Sequence, residues 1–163
     1  MYNFYPTDMI QRIQTVYLFL GFIFAVLFLT FPLGNIDING MVYVVKSWNI
    51  VSADGTEKLD YSGILGVIAM ILPFIIMILC IYTTFLYKNR LLQIKLGKIN
   101  IFLHVILVVS TFFYLDGIKS QFPGEFSYGP AVIFPLLAMV FLLLAGRAIR
   151  KDEELVRSAD RLR

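Results

Sequence analysis

Charged residues are scarce in this sequence. Of its 163 residues only 15% are charged and 59% are hydrophobic, whereas a soluble domain is about one-quarter charged and about half apolar. A water-soluble fold of this composition could not cover its own apolar surface, so we predict a protein of the lipid bilayer. The net charge of +3 is too small for the large basic patch that nucleic-acid binding needs, so we expect no nucleic-acid partner.

Cysteine and histidine each occur once, as Cys80 and His104. A single cysteine cannot form a disulfide within the chain, and it leaves no thiolate cluster for zinc. The sequence also offers no Ser-His-Asp arrangement, no phosphate-binding loop and no pair of carboxylates inside an apolar run. We therefore predict no catalytic site, no metal and no cofactor, and we expect that the protein is not an enzyme.

Four apolar runs are long enough to cross a bilayer, at about residues 15–33, 63–87, 99–115 and 129–149. A hydrocarbon core of about 30 Å needs roughly 20 apolar residues, and lipid offers no partner for backbone amides, so each run is predicted to be helical. The sequence thus predicts an all-α membrane protein, a four-helix bundle that forms one domain over residues 1–163. The first run is too long for a signal peptide, and we expect it to be retained.

A basic stretch between the second and third runs predicts the orientation of the bundle. Residues 88–98 read KNRLLQIKLGK and carry four cations and no acidic residue. Basic residues stay on the cytoplasmic side of a membrane, so we interpret this stretch as a cytoplasmic turn. Most other basic residues outside the runs lie near the two ends of the chain, which predicts that both termini are cytoplasmic.

The longest polar stretch, residues 34–62, lies on the opposite side in this interpretation. Its dipeptides Asn39-Gly40 and Asp54-Gly55 are hairpin turn signals, and the residues between them are rich in β-branched side chains. We predict a small antiparallel sheet of two or three strands over about residues 36–59, with a disordered loop as the alternative. Two or three strands alone are marginal in water, so the sheet should rest on the helix ends, with Trp48, Tyr43 or Tyr61 near the lipid headgroups.

Small residues at regular spacing predict where the helices pack. Gly21 and Ala25 lie four apart in the first run, and Ala131, Ala138 and Ala145 repeat every seven residues in the fourth. Small side chains let helix backbones approach closely, and a seven-residue repeat makes a seam for a left-handed helix pair. The alternative is that small residues are simply common in membrane helices.

The fourth helix is predicted to continue into a cytoplasmic tail over residues 150–163, because no glycine or proline follows Gly146. Oppositely charged residues lie four apart along it, which supports a helix. One interpretation of the tail is a solvated helix end, and the other is a docking helix for a partner. Its mixed charges argue against simple binding to anionic lipid. The candidate docking residues are Arg150, Glu154, Leu155, Arg157 and Leu162.

His104 lies within the third predicted span. An ionisable group at membrane depth is a functional hypothesis by default, and histidine can transfer protons near neutral pH. If residues 88–98 form the turn, His104 lies level with Tyr82, Thr83 and Thr84. A neutral histidine hydrogen-bonded to one of them would be structural; proton transfer and a lipid or headgroup contact are the alternatives. The candidate polar site is therefore His104, Tyr82 and Thr83.

Two end motifs resemble one protein family. MIQRIQTVYL at residues 9–18 and KDEELVRSADRLR at residues 151–163 are similar to a bacterial family of small four-span membrane proteins, catalogued as domain-of-unknown-function family 4293. The resemblance covers essentially the whole chain. It implies a location in the cytoplasmic membrane of bacteria with two membranes, and it implies no reaction, cofactor or catalytic residue. Members typically begin at a methionine that matches Met9, so the residues before it depart from the pattern.

Two functions of different classes fit these features. The first is a non-enzymatic accessory or scaffold subunit of a larger membrane assembly, since the chain combines a tail and a structured outer loop with no recognisable chemistry. The second is a carrier of protons or of a small molecule centred on His104, which needs a polar cavity between the helices. Membrane-embedded catalysis is a weaker third. Besides the lipid bilayer, the expected partners are therefore membrane proteins.

Overall fold

Four long helices and a five-stranded sheet follow one another along the chain in the computed structural model, which describes residues 7–61, 63–87 and 89–161. The helices are α1 (Thr7–Thr30), α2 (Ile64–Phe85), α3 (Arg90–Gln121) and α4 (Phe134–Arg161), the last preceded by a 3-10 turn at Pro130–Ile133. The strands are β1 (Gly34–Ile38), β2 (Met41–Val45), β3 (Ile50–Ser52), β4 (Lys58–Leu59) and β5 (Glu125–Tyr128).

All four helices are long and apolar enough to cross a membrane. Many of their large apolar side chains face outward, among them Ile64 and Ile78 on α2 and Phe102 on α3. Such a surface suits lipid, because a soluble protein rarely exposes a large continuous apolar patch. The four membrane-length helices predicted from the sequence are confirmed, and they indicate a multi-pass membrane protein.

The helices run up and down between two ends of the bundle. We call the end where α1 and α3 finish and where α2 and α4 begin the sheet end, because the sheet connects the helices there. The opposite end is the turn end, which holds the reversal from α2 to α3, the start of α1 and the end of α4. Around the bundle, α1 packs against α2 and α4, and α3 packs against the same two helices.

The three alanines of the predicted seam are buried, and α4 packs against α1. Ala131, Ala138 and Ala145 are all fully or almost fully buried. Gly21 of α1 is buried opposite Leu142, and an added Cβ at Gly21 would lie 3.3 Å from the Leu142 side chain. Small side chains therefore set the close approach of these two helices.

The third helix is much longer than predicted, and the prediction of residues 88–98 as a turn is wrong. The chain reverses between Phe85 and Arg90, and Lys88 lies outside the described residues. Asn89 starts α3 as its N-cap, because its side-chain oxygen accepts a hydrogen bond from the backbone N–H of Leu92 at 3.1 Å. The remaining cations of the stretch therefore stand on the first turns of a helix that runs to Gln121.

The small antiparallel sheet is confirmed, although it has five strands in the order β4-β3-β2-β1-β5. The two-residue turn between β1 and β2 has positive φ at both Asn39 (54°) and Gly40 (84°), which is the geometry of a hairpin turn that matches strand twist. Gly55, with φ of 76°, lies in the connection from β3 to β4. Both turn signals in the sequence therefore fall between paired strands.

The fifth strand comes from the second connection at the sheet end and is missed by the sequence interpretation. It pairs with β1, with Phe126 opposite Ile36. The Gly129 N–H then donates to the Leu33 carbonyl at 2.8 Å, which ties the start of the fourth helical segment to the start of the sheet. Glycine is required at Gly129 because an added Cβ would overlap the Pro32 carbonyl oxygen.

The apolar core is largest at the sheet end. Leu33, Ile36, Val45 and Ile50 from the sheet region are buried in one cluster with helix residues, chiefly Phe28, Leu115 and Ile118. The Tyr114 hydroxyl of α3 donates to the Lys46 carbonyl at 3.2 Å. The sheet thus rests directly on the helix ends, as its small size requires.

Candidate functional site: a polar core at the turn end

Polar side chains interrupt the apolar core between the turn end and the middle of the bundle. We call the following residues the polar core; each is at least 95% buried, and they come from three helices: Gln14, Thr83, Gln93, Asn100 and His104. Polar groups in a dry interior need hydrogen-bond partners, because an unpaired one carries a desolvation penalty of about 1–3 kcal/mol. This concentration of buried polarity therefore calls for an explanation other than packing.

The layers of the bundle show how these residues come together. Leu18 of α1, Cys80 of α2 and Ala145 of α4 pack in one apolar cluster. Gln14 precedes Leu18 by one helical turn and Thr83 follows Cys80 by nearly one turn, so both lie about 5 Å closer to the turn end. Gln14 and Thr83 therefore occupy one layer of the bundle interior, just below the last apolar layer.

Two hydrogen bonds set how α2 and α3 are aligned. The Gln93 side-chain amide donates to the Thr83 carbonyl at 3.0 Å, and the Asn100 side-chain amide donates to Cys80 Sγ at 3.0 Å. His104 follows Asn100 by one turn, so it lies about 6 Å beyond the level of Cys80, toward the sheet end. The predicted alignment with Tyr82 and Thr83 is wrong, because it assumes a turn eleven residues long.

His104 is held by its own helix. Its Nδ1 lies 2.9 Å from the Asn100 carbonyl oxygen, and since a carbonyl can only accept, the ring proton is on Nδ1. The Nε2 atom is buried and has no hydrogen-bond partner among the described residues. In the neutral ring this atom is an acceptor, open to a donor from a bound molecule or water.

Of the other two predicted site residues, one belongs to the interior and one does not. Thr83 is fully buried, and its Oγ1 has no hydrogen-bond partner among the described residues. Tyr82 is 52% exposed on the outer surface of α2. Thr83 therefore belongs to the polar core, whereas Tyr82 faces the surroundings of the bundle.

Four atoms of the polar core have no partner within the described part of the chain. They are Gln14 Nε2, Thr83 Oγ1, Asn100 Oδ1 and His104 Nε2. Gln14 Nε2 and Thr83 Oγ1 share one layer, whereas Asn100 Oδ1 and His104 Nε2 lie at and beyond the level of Cys80. Each pair of atoms could bind water or a small polar group. Among the described residues no group of three His, Cys, Asp or Glu side chains could hold a metal ion.

An ion pair between a partly exposed arginine and a buried aspartate closes the turn end. Arg90 Nη2 lies 3.1 Å from Asp152 Oδ2, and the side chains are 18% and 1% exposed, respectively. Arg90 Nη1 also donates to the Asp152 carbonyl at 3.4 Å. The first residue of α3 is thereby fixed to α4, seven residues beyond Ala145.

The candidate docking residues begin beside this ion pair. Arg150 and Glu154 are exposed, and Leu155 is 50% exposed although it is apolar. The helix continues through Arg161, which confirms the predicted helical extension. The side chain of Arg157 and all of Leu162 lie outside the described residues.

Sequence reasoning misses Gln14, Gln93, Asn100 and the pair of Arg90 with Asp152. One signal for the α3 residues is present in the sequence. Gln93, Asn100 and His104 are separated by seven and four residues, the spacing of a single inward face on a packed helix. No comparable signal identifies Arg90 and Asp152, because their contact depends on how far α4 reaches past the start of α3.

Comparison with known proteins identifies the family but no function. Residues 10–162 match the family model described as Domain of unknown function (DUF4293). The match spans nearly the whole chain, and it confirms the resemblance seen in the two end motifs. No curated protein matches this sequence.

Proposed function

Because the chain belongs to the domain-of-unknown-function family DUF4293, we propose its role from its geometry: a non-enzymatic accessory subunit of a larger assembly in the bacterial cytoplasmic membrane. In this proposal the turn end faces the cytoplasm, so both termini are cytoplasmic. The extension of α4 past Asp152 is the docking element. The sheet end lies on the opposite side of the membrane.

The distribution of basic residues supports this orientation. Arg90, Lys95 and Lys98 stand at the turn end on α3, and Arg147, Arg150 and Lys151 stand there on α4. Near the sheet the cations are fewer, chiefly Lys46, Lys58 and Lys119. An excess of Lys and Arg marks the cytoplasmic side. Labelling with a membrane-impermeant thiol reagent tests this orientation, because the native Cys80 is buried and should not react. A cysteine that replaces Lys58 should react in intact cells. A cysteine that replaces Lys95 should react only after lysis.

The observation that carries the docking proposal is the ion pair of Arg90 with Asp152. Burying the Asp152 carboxylate has a desolvation penalty that offsets much of its attraction to Arg90, so the pair does more for geometry than for stability. Here it joins α3 to α4 at the root of the extension. The extension therefore leaves the bundle in a fixed direction, which lowers the entropy lost when a partner binds.

The exposed surface of the extension indicates the chemistry of the partner. Leu155 is flanked by exposed Lys151 and Glu154. An apolar residue between charges of both signs suits a partner helix with an apolar contact and complementary charges. An anionic membrane surface would favour uninterrupted Lys and Arg instead. We therefore propose that the partner is the cytoplasmic end of a helix of another membrane protein.

Truncating Leu155 tests this proposal. Leu155→Ala should weaken a complex isolated from native membranes in mild detergent by about tenfold, since apolar anchors of interfaces contribute about 1–2 kcal/mol or more. The matched control is Leu91→Ala, at a similarly exposed leucine on the first turn of α3. Both variants should keep the wild-type thermal stability. The proposal is wrong if the wild-type protein is recovered alone, or if both variants weaken the complex equally.

A second function is favoured by the unpartnered atoms of the polar core. In this alternative the protein carries protons or a small polar molecule, and His104 Nε2 accepts a proton or a hydrogen bond on the way. His104→Gln retains a polar side chain but cannot titrate, so it should abolish proton flux into liposomes that contain the purified protein. Thr111→Val, at a buried residue of α3 outside the polar core, provides the control for a disturbed core and keeps the titrating group. Equal flux through protein-free liposomes and liposomes with the wild-type protein would remove this alternative.

A further inference from the structure

A cleft lies at the sheet end of the bundle, which is the end opposite the turn end. It has a volume of about 220 Å³ and runs between β3 and β4 of the sheet and the adjoining parts of α2 and α3. Clefts that hold drug-sized ligands are usually larger, about 300–1,000 Å³. The space is therefore suited to a small polar group or to the head of a larger molecule.

The sheet side of the cleft presents buried polar atoms without partners. Ser47 lines the cleft and is 1% exposed, and its hydroxyl has no hydrogen-bond partner among the described residues. Asn49 also lines the cleft, and its Oδ1 is likewise buried and unpartnered there. A hydroxyl beside a side-chain carbonyl can donate to one ligand atom and accept from another.

The rim of the cleft carries one charge of each sign. Lys58 and Asp60 both line it, two residues apart at the end of β4, and both are exposed. An ammonium and a carboxylate at one opening complement a ligand that carries an anionic and a cationic group close together. A purely anionic ligand would meet the Asp60 carboxylate unfavourably.

The helix side of the cleft is apolar and continues onto the outer surface of the bundle. Val67 and Met70 line the cleft on consecutive turns of α2, and they are 53% and 42% exposed. Exposed Phe74 follows Met70 by one turn on the same helix. Since α2 is long and apolar enough to span a membrane, this wall leads from the polar cleft toward the acyl chains of the bilayer.

Trp48 indicates the depth of the cleft in the membrane. It lines the cleft, is 46% exposed, and has Lys46 Nζ 5.6 Å from the centre of its ring. Tryptophan beside lysine is typical of the headgroup region, where an apolar ring and a polar group are both satisfied. The polar part of the cleft therefore lies at headgroup level.

We propose that this cleft binds a phospholipid whose head carries one amine and one phosphate. Lys58 and Ser47 contact the phosphate, Asp60 pairs with the amine, and an acyl chain follows Val67 and Met70 along α2. The lipid belongs to the leaflet on the side of the sheet end. This site is independent of the docking extension at the turn end, so each proposal can fail without the other.

Native mass spectrometry of the detergent-purified protein tests the site. Added phosphatidylethanolamine should give a one-to-one adduct that is at least about fivefold more abundant than with phosphatidylglycerol or diacylglycerol, because each of these lacks one charge or both. Soluble phosphoethanolamine, which has the head but no acyl chain, should not displace the lipid. Equal binding of all three lipids, or displacement by the soluble head, would overturn the proposal.

Ser47→Ala separates a ligand-binding role from a structural one. It should lower the abundance of the adduct about tenfold or more, as expected for one lost hydrogen bond to a charged group. It should leave the melting temperature of the lipid-free protein unchanged or slightly higher, because it removes a buried hydroxyl without a partner. The matched control is Ser110→Ala, since Ser110 is also buried but donates to the Leu107 carbonyl. A stability loss at Ser47 with an unchanged adduct would contradict the site.

Two further pairs of variants test the rim and the apolar wall. Asp60→Asn should lower the preference for phosphatidylethanolamine over phosphatidylglycerol about threefold, whereas Asp54→Asn, in the turn before β4, should not. Met70→Trp should obstruct the wall and reduce adducts of every lipid, while Ile78→Trp, exposed farther along α2, should not. Identical behaviour of each variant and its control would exclude a lipid in this cleft.

Discussion

The two ends of the bundle are stabilised by different interactions. At the sheet end, strands and helices share one apolar cluster around Phe28, Leu33 and Ile36, and strand pairing satisfies the backbone. At the turn end the same four helices enclose glutamine, asparagine, threonine and histidine, with an ion pair beneath them. The comparison indicates that the sheet end supplies stability and that the turn end retains polar groups for another purpose.

Removing apolar volume at the sheet end is the strongest test of whether that end supplies the stability. Phe28 is completely buried, so Phe28→Ala should lower the free energy of unfolding by about 3–5 kcal/mol. Phe102, which is 63% exposed on α3, gives the matched control, and Phe102→Ala should change it by about 0.5 kcal/mol or less. Denaturant unfolding in detergent micelles, followed by far-ultraviolet circular dichroism, measures both. Similar losses in the two variants would mean that the sheet end is not the stable core.

The ion pair at the turn end gives the next largest effect. Arg90→Met leaves the Asp152 carboxylate buried without its partner and should destabilise the protein by about 3 kcal/mol. Asp152→Leu should cost less, because Arg90 is 18% exposed and can reach water. The double variant Arg90→Met/Asp152→Leu should recover most of the loss, since it leaves no buried charge.

A double-mutant cycle on thermal unfolding measures this recovery as a coupling energy. If the two single effects simply add in the double variant, the residues are not energetically coupled. In that case the root of the α4 extension would not be fixed by this pair, and the main support for the docking proposal would be lost.

The fold could be predicted from the sequence where local signals and lipid both constrain the chain. Four apolar runs demand helices because lipid satisfies no backbone groups, and Asn39-Gly40 demands a tight hairpin because both residues adopt positive φ. The start of α3 differs from the prediction for a local reason. Asn89 is an N-cap, and the lysine and arginine residues that follow it are good helix formers, so their charge alone does not indicate a loop.

The candidate site was predictable only in part, because its members come from distant parts of the chain. His104 stands out as a lone ionisable residue in an apolar run, and Thr83 follows from its approximate level. The exact level depends on where the chain reverses, so a turn placed at residues 88–98 gives His104 the wrong neighbours. Strand β5 and the contact of Arg90 with Asp152 are not predicted for a related reason. Both depend on pairing between distant parts of the chain, which neither a four-residue strand nor a single charged residue specifies.

Thr83→Val tests whether the polar core contributes to the stability of the fold. The variant keeps the shape of the side chain and removes a buried hydroxyl that has no partner among the described residues, so stability should stay the same or rise by up to about 1 kcal/mol. Thr111→Val is the matched control, because Thr111 is equally buried but donates to the Leu107 carbonyl at 2.7 Å. That variant should lose about 0.5–1 kcal/mol. A larger loss at Thr83 than at Thr111 would show that the polar core is structural after all.

The smallest expected effect concerns the sheet end and pH. Hydrogen bonds from Ser52 and Thr56 lower the pKa of Asp54 below its ordinary value of 3.8. A carboxylate with a lowered pKa stabilises the folded state fully above the unfolded pKa, and this contribution disappears as the pH falls through the folded pKa. Melting temperatures of the wild type should therefore fall slightly more than those of Asp54→Asn between about pH 5 and pH 3. Asp54 is exposed in the turn between β3 and β4. If the melting temperatures of the wild type and Asp54→Asn change in parallel with pH, the Asp54 carboxylate does not stabilise the fold. The hairpin would then depend on Gly55 and on the strand pairing.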